Sequence, residues 1–175
     1  MDVPTILIIE DEPSFRSLLR FKMQRLGYHV LEAESGREGV ILAKKHSPSV
    51  VICDFTMPQS ELNGYQVWEA LQHDPHLRST PFILLSGQID ERWRQHWHPL
   101  LRTLDPISRQ TGSTLRLVEK DGTSIARLSA ILREFFGAPP SERNTTTNAN
   151  KPNHLRNEPP HHMLSVVVPT GNLAW

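Results

Sequence analysis

Two stretches of this chain set an unbroken apolar run directly before acidic residues, and few folds accommodate that. Val50-Val51-Ile52-Cys53 runs into Asp54, and Phe55-Thr56-Met57-Pro58 follows at once. Ile6-Leu7-Ile8-Ile9 runs into Glu10-Asp11. Apolar runs of this length read as strands covered on both faces, as in a parallel sheet flanked by helices. Proline cannot donate to a ladder, so Pro58 puts the end of its strand near Asp54. An ionisable oxygen then stands at the carboxyl end of a central strand, where ligands and chemistry gather in open α/β sheets. Asp54 reads there as a nucleophile that accepts a phosphoryl group. Taken alone, the segment fits equally well an aspartate that only caps a turn.

The other segments alternate helix and strand signals. Pro13 suits the first turn of a helix in which Phe15, Leu18, Leu19, Met23 and Leu26 recur at helical spacing, with Gly27 as its stop. Tyr28 to Leu31 reads as a short strand. Ser35-Gly36 opens a helix to about Lys45, ended before Pro48. Asn63-Gly64 is a turn signal before a short helix with Tyr65, Trp68 and Leu71 on one face. Pro81 to Ser86 is a third buried strand, followed by Gly87. Leu115 to Val118 is the last strand, ahead of Glu119-Lys120. Ile125, Leu128, Leu132 and Phe135 form a closing helical stripe ended by Gly137. Alternation of this kind predicts βαβ units, a parallel sheet and right-handed crossovers. The fold class expected is therefore α/β, in about one domain.

Two regions break the pattern. Residues 88–113 are irregular: Trp93 and Trp97 share a helical face, but Pro99 interrupts it. From Ala138 on, six of the fourteen prolines occur among many Asn and Thr residues. Such a segment buries too little apolar surface to offset its ordering entropy, so 138–175 is expected to be a disordered tail. Ser165 to Val168 is its one apolar patch. It fits either a strand added to an exposed sheet edge or a solvated tail.

Charge excludes little but points away from nucleic acid: 19 acidic and 19 basic residues balance, with no basic stripe. The single cysteine, Cys53, allows no disulfide within the chain and reads as a small core hydrophobe in a reducing cytosol. There is no signal-peptide pattern and no apolar run of membrane-spanning length, so a cytoplasmic protein without membrane insertion is expected. His96 and His98, like His161 and His162, read as surface histidines rather than metal ligands. A nucleotide or flavin enzyme lacks support, since no Gly-rich phosphate loop is present.

The strand ends share one edge of a parallel sheet, so Glu10, Asp11, Asp54, Ser86 and Lys120 can converge there. Held close, the carboxylates repel, and either a pKa rises or a cation neutralises them. Hard oxygen ligands suit Mg²⁺, which binds through one or two carboxylates and phosphate. Ser86 can donate to a phosphoryl oxygen, Lys120 can supply a fixed positive charge, and Gly87 leaves room for a donor. Taken singly, each has a plainer reading: an acid pair at a helix N-terminus, a turn serine, a solvated lysine. Their joint placement carries the functional reading.

With these residues in hand, the sequence resembles the receiver domain of two-component response regulators. The resemblance rests on Ile6 to Pro13, Val50 to Pro58, Asn63-Gly64 and Pro81 to Gly87, and it covers 3–137. It implies a flavodoxin-like, doubly wound, five-stranded parallel sheet of order 2-1-3-4-5. It also implies Asp54 as phosphoacceptor and Glu10, Asp11, Asp54 and the Thr56 backbone carbonyl as Mg²⁺ ligands. Ser86 matches the family's phosphoryl-sensing hydroxyl and Lys120 its lysine. The implied donor is a phosphohistidine on a histidine kinase or histidine phosphotransfer protein, and the implied output is a contact with a downstream protein. The chain is then expected to be a stand-alone receiver rather than a turnover enzyme.

Several features depart from the family pattern. Glu10 stands where Asp is commoner, and the loop from Pro58 to Gly64 is slightly long. The stretch between Ser86 and Lys120 is expanded by residues 88–113. Leu117 replaces a usual aromatic, and Asp121 replaces a usual proline, so a trans bond is expected before it. The alternative is an atypical receiver serving as a phosphorylation-independent interaction module.

Overall fold

The computed structural model describes residues 2–87 and 114–143. The strands are β1 (Thr5–Ile9), β2 (His29–Ala33), β3 (Val50–Asp54), β4 (Phe82–Ser86) and β5 (Leu115–Glu119). The helices are α1 (Pro13–Arg25), α2 (Gly36–His46), α3 (Gly64–Gln72) and α4 (Ser124–Phe136). All strand pairings are parallel, in the order β2-β1-β3-β4-β5. The expected flavodoxin-like topology is therefore present.

The pleat explains why both apolar runs had to be continuous. Ile6, Ile8, Val50 and Ile52 face a core shared with Leu19 and Met23 of α1 and Leu128 and Leu132 of α4. Their neighbours Leu7, Ile9, Val51 and Cys53 face the other way, toward Ala43 of α2 and Val67, Trp68 and Leu71 of α3. Successive side chains on a strand point to opposite faces, so a sheet covered on both faces needs apolar residues at every position. Every residue of β3 and of β4 is buried.

Element ends shifted where long-range pairing outweighed local signals. β2 was expected over Tyr28–Leu31. Its residues instead pair one-to-one with β1, Thr5 with His29 through Ile9 with Ala33. Glu32 hid this extension because a charged residue reads as the end of a strand. Leu18 was expected on the inner face of α1 but is 41% exposed. The inward stripe is Phe15, Leu19, Met23 and Leu26, which leaves Leu18 on the solvent side. β4 starts at Phe82 rather than Pro81, whose carbonyl accepts the Val51 amide. β5 runs one residue further than expected, to Glu119.

Asn63-Gly64 is a helix start rather than a free turn. Asn63 caps α3: its side chain accepts from the Gln66 amide while the Gln66 side chain accepts from the Asn63 amide, each at 3.0 Å. Gly64 lies directly beneath the end of β3, and a Cβ there would strike the Asp54 carbonyl and Leu84.

The boundary expected at Gly137 falls slightly early. Pro139 and Pro140 are buried, the Ser141 amide donates to the Leu26 carbonyl at 3.1 Å, and Arg133 pairs with Glu142. Gly27, at φ 88°, leaves room for this strap, because a Cβ would meet Pro140 and the Ser141 amide. The rest of the expected tail, including Ser165 to Val168, His161 and His162, lies outside the described residues. So do Trp93, Trp97, His96, His98 and the whole 88–113 segment.

Candidate functional site

The chain crosses from β2 back to β3 over β1, so the crevice at the carboxyl ends of β1 and β3 is the topological switch point. Glu10 and Asp11 leave β1 there. The Glu10 amide still donates to the Ala33 carbonyl at 3.0 Å, which continues the ladder for one residue and buries the Glu10 side chain. Asp54 ends β3 and is 4% exposed. Oxygen atoms of Glu10, Asp11 and Asp54 lie within 4.8 Å of one another.

Lys120, immediately after β5, reaches into this group. Its amide donates to the Ser86 carbonyl at 2.8 Å, which ties the ends of β4 and β5 together. Its Nζ donates to Asp54 Oδ2 at 2.7 Å and lies 2.7 Å from Glu10 Oε2 as an ion pair. The same ammonium sits over the Phe15 ring, 4.8 Å from its centre. Asp54 Oδ1 accepts a long bond, 3.4 Å, from the Thr56 amide. Glu10 Oε1 accepts from the Glu12 amide at 3.3 Å. The Lys120–Asp121 bond is trans, as expected without proline.

The electrostatics follow from burying acids together. Burial, helped by the Asp54 charge, pushes the Glu10 carboxyl up to about 7 against the pull of Lys120. Burial also raises Asp54, with Lys120 and the Thr56 amide moderating the shift. For Lys120, burial alone would lower the ammonium, but bonds to Asp54 and Glu10 outweigh it and raise it. One ammonium therefore faces three acids, and the pocket retains an excess of negative charge. An all-oxygen donor set with that excess fits a hard divalent cation. The neighbouring Cys53 thiol is fully buried and pushed well up by desolvation, which makes it inert.

The site residues expected from the sequence lie at, or within two residues of, the ends of β1, β3, β4 and β5. Glu10, Asp11, Asp54 and Lys120 meet through their side chains. Ser86 is buried at the end of β4 and joins through its carbonyl, and Thr56 joins through its amide. Two contributors escaped the sequence reading. Arg16 donates from Nη1 to the Glu10 carbonyl at 2.6 Å, and its guanidinium lies 3.8 Å from Glu32 and 4.0 Å from Glu34. Phe15, a member of the apolar stripe of α1, also turns its ring to the Lys120 ammonium. Their signal was position: both fall in the first turn of a helix that starts beside the acid pair.

A hydrophobically sandwiched sheet with an acid cluster and a lysine at its switch point defines a class, and comparison with known proteins specifies it. The pattern of the response regulator receiver domain matches residues 6–98. The chain belongs to that family. Protein PilH of Pseudomonas aeruginosa is 36% identical over 86 residues, which span 49% of this chain and 69% of PilH. Two other curated relatives, the probable transcriptional regulators ycf27 of Porphyra purpurea and Pyropia yezoensis, are 35% and 34% identical but are matched over only 35% of their own length. Among solved structures, CheY4 of Vibrio cholerae superposes with a TM-score of 0.58 at 23% identity, covering 75% of this chain and 98% of CheY4. The receiver domain of the Pseudomonas aeruginosa sensor kinase PA1611, solved with magnesium in its active-site cleft, gives 0.61 at 22% identity over 78% and 99%. At these identities the two structures support the fold. No helix among the described residues is long and apolar enough to cross a membrane.

Proposed function

We propose that Asp54 accepts a phosphoryl group and that the change of charge at the pocket switches a protein-binding surface. The observation that carries this reading is the Lys120 ammonium held 2.7 Å from both Asp54 and Glu10. It joins the two strand ends that bear acids to the strand end that bears a base. Phosphoryl transfer asks a protein mainly for position and charge compensation, and this pocket offers both.

In the proposed step, an Asp54 carboxylate oxygen attacks phosphorus. The bond from phosphorus to the donor breaks, and its electron pair leaves with the donor group. Lys120 keeps the Asp54 carboxylate charged beforehand and then faces the negative charge that arrives. The Ser86 hydroxyl, at the end of β4, serves a phosphoryl oxygen. Glu10, Asp11, Asp54 and the Thr56 carbonyl are the proposed ligands of Mg²⁺. When bound, Mg²⁺ offsets the charge of the acids and of the incoming phosphoryl oxygens. The receiver domain of PA1611, which shares the fold, was solved with magnesium in its active-site cleft, and this supports the choice.

The proposed donor is a phosphohistidine of a histidine kinase or histidine phosphotransfer protein, and the proposed output is contact with a downstream protein. On this reading the receiver spans 3–137, extended by the strap to Arg143. It works in the cytoplasm as a signalling module rather than a turnover enzyme. Acetyl phosphate with Mg²⁺ tests the core of the proposal. The unsubstituted chain should gain one phosphoryl mass, and Asp54→Asn should gain none. Labelling of Asp54→Asn at the unsubstituted rate rejects the assignment.

A further inference from the structure

Lys120 is held from three sides, and only two of them are acids. Its Nζ meets Asp54 Oδ2 and Glu10 Oε2, and its third side faces the Phe15 ring at 4.8 Å, inside the roughly 6 Å reach of cation–π attraction. The lysine side chain is only 16% exposed, so water screens the contact weakly. The ring stands in the first turn of α1 and packs against the core shared by α1, α4 and the sheet. It is thus a fixed surface, whereas the lysine stem is flexible.

We infer that Phe15 is a positioning residue for phosphoryl transfer, holding the Lys120 ammonium in the pocket through the face of its ring. The inference rests on the proposed role of Asp54. Its logic is a division of labour. The two carboxylates that hold Lys120 are the same groups proposed to bind metal and phosphorus, so their hold on the ammonium is shared with other ligands. The ring has no other ligand to serve. It keeps a long, entropically costly side chain near its working position whatever the acids are doing.

A purely structural Phe15 would depend on ring shape alone, whereas a cation–π partner depends on the electron density of the ring face. Replacing Phe15 with mono-, di-, tri- and pentafluorinated phenylalanine changes that density with little change of shape. The readout is the initial rate of Mg²⁺-dependent labelling of Asp54 by acetyl phosphate in the full chain. The rate should fall stepwise with fluorine count, reaching about two- to fivefold for the pentafluorinated ring. Phe15→Tyr should restore it, and Phe15→Leu should match the pentafluorinated ring. A readout independent of labelling is the proton spectrum of Lys120. Its ε-methylene signals should be shifted upfield by the ring and should lose that shift in Phe15→Leu. Equal rates across the fluorinated series overturn the inference even if Phe15→Leu is slow, since packing alone would then explain that variant. Absence of labelling in the unsubstituted chain overturns the Asp54 reading and this inference with it; a flat series on a labelled chain overturns this inference alone.

Discussion

β3 and β5 end at the same pocket but are built on different terms. β3 lies between two strands and under helices on both faces, and all five of its residues are buried. Among the described residues β5 is an edge strand paired only with β4, and Val118 is its one buried residue. Asp54 therefore sits on a support that tolerates little change. Lys120 sits on one that constrains only alternate positions and is stabilised by its charged partners across the pocket. The contrast teaches where variation is cheap. The departures from the family pattern at Leu117 and Asp121 both fall on the β5 side, whereas the segment from Val50 to Pro58 follows the pattern closely.

Graded substitutions test this contrast. Ile52→Ala removes a fully buried side chain from the centre of β3 and should cost about 3–4 kcal/mol, measured by urea denaturation. A cost below about 1 kcal/mol would mean that β3 is not the rigid support described. Gly64→Ala comes next. The added methyl meets the Asp54 carbonyl, a backbone group that cannot rotate away, so about 1–3 kcal/mol should be lost. Because the clash displaces the strand end itself, labelling of Asp54 should slow in proportion. Unchanged stability and rate in that variant would place the start of α3 elsewhere. Leu117→Ala should have the smallest effect, under about 1 kcal/mol, because the side chain is already 38% exposed. Its labelling rate should match the unsubstituted chain. If Leu117→Ala instead cost as much as Ile52→Ala, the contrast between the two strands would collapse.

Much of the fold was legible because it rests on local rules. The runs at Ile6 to Ile9 and Val50 to Cys53 announce strands covered on both sides, and the Leu19–Met23 and Leu128–Leu132 spacings announce the helices that cover them. Acid and lysine positions followed from strand ends alone. What escaped was decided by partners distant in sequence. β2 extends through Glu32 because β1 offers five pairing positions. Leu18 is exposed because the sheet, not the helix, selects which stripe of α1 turns inward. Asn63-Gly64 reads locally as a turn, yet it starts a helix packed against Asp54.

The order of apolar and acidic residues along the chain determined that this is a parallel α/β sheet with its acid cluster at one edge. Covering both faces requires apolar side chains at successive strand positions, and that requirement is written residue by residue. Only the tertiary structure decided how one ammonium is shared among Asp54, Glu10 and the face of Phe15. Those groups lie on separate elements, and no periodicity or spacing encodes a distance between atoms that meet only when the sheet closes.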